Sequence, residues 1–196
     1  MSVTSHRRHG RISRTAIGDV MRPVVCVAVV VLAAVMLVAG LVAAVASGGA
    51  RQVIVYRFPA GTLGWHGAAA IMLDNARLAL APIAAAYLVE VIRPAVGGRW
   101  SGWRHVVRAG CDATLGAAVL TNVVIAGASY GAYGLKMARY TLPYAPFELL
   151  AFACPLVLYR EARRASPTRA RALALCATAA ALLAASALME SLLPPL

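Results

Sequence analysis

Five long apolar stretches, at about residues 24–46, 67–92, 110–131, 142–159 and 171–190, take up more than half of this chain. A helix that crosses a bilayer needs about 20 mostly apolar residues, each rising about 1.5 Å. Every stretch comes close to that length or exceeds it. The segments between them are short, and none has room for a soluble domain. The expected fold is therefore all-α: one polytopic membrane bundle of about five transmembrane helices over residues 23–196, behind a basic tail at residues 1–22. Composition agrees. The chain is 61% hydrophobic and 13% charged, whereas soluble domains average roughly 45–50% apolar and about 25% charged.

A net charge of +12 would point to nucleic acid in a soluble protein. Here the placement of the charge says otherwise. Arg7, Arg8, Arg11, Arg14 and Arg22 precede the first apolar stretch. Arg93, Arg99, Arg104 and Arg108 separate the second from the third, and Arg160, Arg163, Arg164, Arg169 and Arg171 separate the fourth from the fifth. The alternate connections carry only Arg51 and Arg57, then Lys136 and Arg139. Cytoplasmic segments of membrane proteins are enriched in Lys and Arg. The expected topology is an N-terminus in the cytoplasm and a C-terminus outside a bacterial plasma membrane. The anionic lipid headgroups are the expected partners of the arginines; nucleic acid is not.

The first stretch follows a basic segment and contains Ala44-Val45-Ala46, which resembles a signal-peptide cleavage site. A signal h-region runs about 7–15 residues, and this stretch is longer. It reads as a retained, lipid-facing anchor. Cys26, Cys111, Cys154 and Cys176 lie in or beside apolar stretches without CxxC pairing and read as small core residues. Gly127 and Gly131 have the GxxxG spacing that lets helix backbones approach, here for packing within the chain.

Two groups of residues are candidate sites. The first is the interfacial segment holding Arg99, Trp100, Trp103, Arg104 and Arg108. Tryptophans three apart among arginines suit a short helix in the inner headgroup layer, or a surface for a partner. The second is a set of polar residues inside the spans. The alternating topology puts Asp74, Asn75 and Arg77, Glu148, and Glu190 at similar depth near the outer side. Ionisable residues in a membrane need partners. Arg77, the only cation of the set, is the expected hub, with Glu148 as its partner across helices and Asp74 beside it. A network that fixes packing leads; a docking surface for an outer partner and an ion path follow. No GxSxG, HExxH or P-loop occurs, nor a set of ligands at metal spacing. No catalytic, cofactor or metal site is expected.

The same residues carry a family resemblance. Leu73-Asp74-Asn75-Ala76-Arg77-Leu78-Ala79-Leu80, Leu142-Pro143-Tyr144-Ala145-Pro146-Phe147-Glu148-Leu149 and the ending Ala184 to Pro194 around Glu190 occur in order. They resemble the motifs of the stage II sporulation protein M (SpoIIM) family over roughly residues 67–195. Tyr144 and Ala145 stand where that family has His and Gly. The resemblance implies a non-catalytic membrane scaffold that positions other membrane or envelope proteins, as in cell-envelope remodelling. The alternative is the membrane subunit of a small transporter or ABC-type permease.

The arginine asymmetry predicts that alkaline phosphatase fused after Leu196 is active in whole cells and that fused after Arg164 is inactive. The reverse pattern would refute the five-span topology.

Overall fold

The computed structural model describes residues 14–45, 49, 65–93 and 101–192. They form six helices and, among the described residues, no strand: α1 (Arg14–Val45), α2 (Trp65–Ile92), α3 (Ser101–Tyr133), α4 (Leu135–Thr141), α5 (Ala145–Arg164) and α6 (Arg169–Leu192). Met21–Val45, Ala68–Ile92, Gly102–Tyr133 and Arg169–Leu192 are each long and apolar enough to cross a membrane. The pair α4 and α5 qualifies jointly, bent by 71°, which makes up to five spans. Val29, Val30, Met36, Leu37, Leu80, Tyr87, Leu120, Ile125 and Leu173 all point outward. So much exposed apolar surface on α1, α2, α3 and α6 needs lipid around it. The protein is a multi-pass helical membrane bundle.

The chain runs up and down, so the bundle has two ends. The start of α1, end of α2, start of α3, end of α5 and start of α6 meet at the arginine-rich, basic end. The opposite end holds Asp74, Glu148 and Glu190 and is the acidic end. Helix α5 is central and packs on α1, α2 and α6. It buries Ala151, Ala153, Cys154, Val157, Leu158, Tyr159 and Ala162. These interlock with Val24 and Ala28 of α1, Ala85, Ala86 and Val89 of α2, and Leu175 and Ala179 of α6. Small residues dominate because lipid is as apolar as a leucine core. Helices in lipid associate by close backbone approach instead.

The first helix departs from the expected lipid-facing anchor. It buries a stripe of Val24, Ala28, Val35 and Ala39 and packs along α3 and α5. It also starts at Arg14, so the end of the expected tail is helical. The contact with α3 is glycine-dependent. A Cβ on Gly127 would lie 2.5 Å from Val38 Cβ and 2.8 Å from the Val35 carbonyl oxygen. One on Gly131 would lie 2.7 Å from the Ala39 carbonyl oxygen.

The fourth apolar stretch is also differently built. It is not one helix from 142. Gly134, at φ 54°, ends α3 in the left-handed region open to glycine. Its amide bonds the Tyr130 carbonyl at 2.7 Å. Helix α4 then runs to Thr141, and Pro143 lacks the N–H needed to prolong it. Pro146 sits in the first turn of α5, where its missing donor costs no intrahelical bond. Thr141 gives its hydroxyl proton to the Met137 carbonyl at 2.9 Å and lies 2.5 Å from Tyr130 Oη. Tyr130 is therefore the donor of that second bond, which fastens α4 to the end of α3.

Gly127→Ala and Gly131→Ala should each destabilise the detergent-purified protein by about 1–3 kcal/mol through overpacking, seen as a lower melting temperature. Gly110, whose added Cβ meets nothing within 4 Å, serves as the control. Gly110→Ala should be neutral or stabilising, since helix interiors favour Ala by about 1 kcal/mol.

Candidate functional site

At the acidic end an open pocket of about 290 Å³ is lined by Ile71, Asp74, Asn75, Tyr144, Glu148 and Glu190. Three helices build it. α2 supplies residues 71–75, α5 begins beside Tyr144 and supplies Glu148, and α6 supplies Glu190. Glu148 lies in the first turn of α5, where the free amides and the positive end of the helix dipole favour a carboxylate by about 0.3–1 kcal/mol. Its position is thus fixed by Pro143 and Pro146, which set where α5 starts. Tyr144 packs edge-on against Tyr140, with ring centroids 5.9 Å apart, and so spans the bend between α4 and α5.

The sequence-predicted residues do gather here, but not with the expected hub. Arg77 Nη1 pairs with Asp74 Oδ1 at 3.1 Å within α2, and both side chains are 73% exposed. The interhelical bond comes from Asn75, whose Nδ2 donates to Glu148 Oε1 at 2.5 Å. The reason is rotational phase. Residues 74 and 77 are three apart and share one face of α2, and that face points outward. Asn75 is turned about 100° from Asp74, toward α5. Glu148 therefore receives a neutral amide instead of a guanidinium. Glu190 has no cationic partner among the described residues. One turn before it on α6, Ser186 is wholly buried next to Glu148.

The basic end holds contacts that sequence reasoning missed. Asp112 accepts from Tyr159 Oη at 2.6 Å and from Arg163 through Nε at 3.1 Å and Nη2 at 2.6 Å. Glu161 takes Arg171 bidentately, with Nη2 at 2.6 Å and Nε at 2.7 Å. Glu90 pairs with Arg93 at 3.1 Å and accepts from Ser166 Oγ at 3.0 Å; Arg93 also donates to the Ala162 carbonyl. Apart from the Glu90–Arg93 pair, which lies at the end of α2, these bonds tie the end of α5 or the turn after it to a neighbour. The available signal was the topology, which put these charges at one end; it did not give the pairing.

Of the interfacial group, Arg99 and Trp100 lie outside the described residues. Trp103, Arg104 and Arg108 sit on the first turns of α3, which runs unbroken through Gly110. The expected separate interfacial helix is thus continuous with the span. The 33 residues of α3 extend about 50 Å, well beyond the roughly 30 Å hydrocarbon core, so the helix is longer than one crossing requires. Of the cysteines, Cys154 is buried, Cys111 and Cys176 are partly so, and Cys26 faces outward, against the expectation that all four serve the core.

Comparison of the chain with models of protein families, with curated proteins and with solved structures finds no match.

A double-mutant cycle distinguishes the two partners of Glu148. Asn75→Ala and Glu148→Ala should be non-additive in detergent stability, with a coupling of about 0.6 kcal/mol and up to about 1.7. Arg77→Ala and Glu148→Ala should add. Coupling of Glu148 to Arg77 and not to Asn75 would overturn the assignment.

Proposed function

We propose that this protein is a non-catalytic integral membrane scaffold, with its acidic-end pocket receiving a cationic side chain of a partner protein at the outer face of a bacterial plasma membrane. One observation carries the reading. Glu148 and Glu190 line an open pocket beside the buried Ser186, and Arg77, the cation of the predicted set, is engaged with Asp74 on the outward face. A carboxylate pair in a low-dielectric setting, with no counter-ion among the described residues, is costly. A Lys or Arg from a partner would supply the missing charge. The resemblance to the SpoIIM family supports the same reading, since it implies a scaffold in envelope remodelling.

A permease subunit needs polar groups along a path through the membrane. Between the two ends the packed core is Ala, Val, Leu and Cys, with Tyr159 at its basic edge. That favours a scaffold over a conduit. The N-in, C-out orientation comes from the arginine distribution and places the pocket outside.

The test is affinity purification from native membranes of the unaltered protein and of the Glu148→Gln/Glu190→Gln double variant. The unaltered protein should bring down an envelope partner, such as a hydrolase, and the folded double variant should lose it. An ATPase partner would favour the permease alternative. A partner retained at full yield by the double variant would refute the role of the pocket.

A further inference from the structure

A second cavity lies away from the acidic pocket and has a different chemistry. It is a lateral groove of about 440 Å³ between α1, α3 and α5. Its walls include Ala34, Leu115, Gly116, Val119, Val123 and Leu156, and its basic-end limit is Asp112 with Tyr159. From Asp112 to Val123 the groove follows α3 for about 16 Å, which is about half of the 30 Å hydrocarbon core, or one leaflet. An apolar groove of that length, open sideways in a membrane protein, matches an acyl chain.

The charge at its basic end selects the headgroup. Asp112 is already held by Arg163 and Tyr159, so it presents little free negative charge. One and two turns earlier on α3, Arg108 and Arg104 follow it on the same side of the helix. Arg108 is close enough to act on Asp112 electrostatically. Neither arginine has an ion-pair partner among the described residues, and Arg104 Nε is buried with no hydrogen bond. Arg163 and Arg108 thus act on one carboxylate, with Arg104 a further turn along α3. Trp103 beside them is 61% exposed, as suits an indole at headgroup level.

We propose that this groove is a binding site for one anionic phospholipid, with an acyl chain along α3 and the phosphate at Arg104 and Arg108. The site lies where α3 and α5 both pack on α1 but hardly on each other, so the lipid fills the seam between those two helices. It is independent of the acidic-end pocket and of any partner docked there.

The test is native mass spectrometry of the delipidated full chain titrated with phosphatidylglycerol or with phosphatidylcholine of identical acyl chains. The expected result is one retained phosphatidylglycerol at concentrations where phosphatidylcholine leaves little adduct, with no displacement by inorganic phosphate. Arg104→Gln and Arg108→Gln should each weaken phosphatidylglycerol about fivefold, the effect of one surface arginine on an anionic lipid. Both together should abolish the headgroup preference. Arg169→Gln, at the same end on α6, should not change it. Gly116 lines the groove, and an added Cβ there meets nothing within 4 Å. Gly116→Leu should therefore fold, keep its melting temperature and lose both lipids. Equal binding of the two lipids to the unaltered protein would overturn the proposal. So would an undiminished phosphatidylglycerol adduct in folded Gly116→Leu, displacement by free phosphate, or a groove closed by a second copy of the chain in a lipid-free dimer.

Discussion

The hydrocarbon core of a bilayer offers neither hydrogen bonds nor counter-ions, and the arrangement of this bundle follows from that constraint. Every polar group that enters the membrane has to be answered by the chain itself. Asn122 and Ser129 do so within α3, donating to the Ala118 and Ile125 carbonyls at 2.8 Å. At the basic end the charges do so in pairs. Asp112 with Arg163, Glu161 with Arg171, and Glu90 with Arg93 close the basic end. The middle is left to small apolar side chains, whose contacts depend on how closely backbones can approach.

Helix α5 is where these demands converge. Its N-terminus brings Glu148 to Asn75 of α2, and its C-terminal turns bring Tyr159 and Arg163 to Asp112 of α3 and Glu161 to Arg171 of α6. Its small faces admit three neighbours between those ends. The position of the acidic pocket therefore rests on local chain chemistry at residues 134–146. A left-handed glycine ends α3, two prolines separate α4 from α5, and the first turn of α5 delivers a carboxylate. Because Arg163 of α5 takes Asp112, Arg104 and Arg108 of α3 have no ion pair among the described residues, which leaves excess positive charge near the lateral groove.

Much of this was legible in the sequence, and the reasons are specific. Span number and helical character follow from apolar length, and the grouping of Asp74, Glu148 and Glu190 follows from alternation of direction. The intrachain use of Gly127 and Gly131 followed from their spacing. What was not legible depends on rotation. Asp74, Asn75 and Arg77 lie in an Ala- and Leu-rich helix whose apolar residues surround the axis, so no stripe marks the inward face. A cation was the natural partner for Glu148 by charge, and Asn75 holds that place by phase. α4 was missed because Lys136 and Arg139 break the apolar run that marks a span. The packing of α1 was missed because an all-apolar helix carries no polar face to distinguish lipid from protein. The pairings at the basic end were hidden by an excess of arginines over carboxylates.

The central claim is that this is a bundle crossing a bilayer, with polar chemistry confined to its ends. Spin labels at two outward positions of α3, Val106 and Leu120, 62% and 64% exposed, test it in reconstituted vesicles. The label at Val106 should be relaxed by a water-soluble nickel complex. The label at Leu120 should be relaxed by oxygen and shielded from nickel. Nickel reaching Leu120 as readily as Val106 would contradict a membrane-spanning α3 and the separation of the two ends that rests on it.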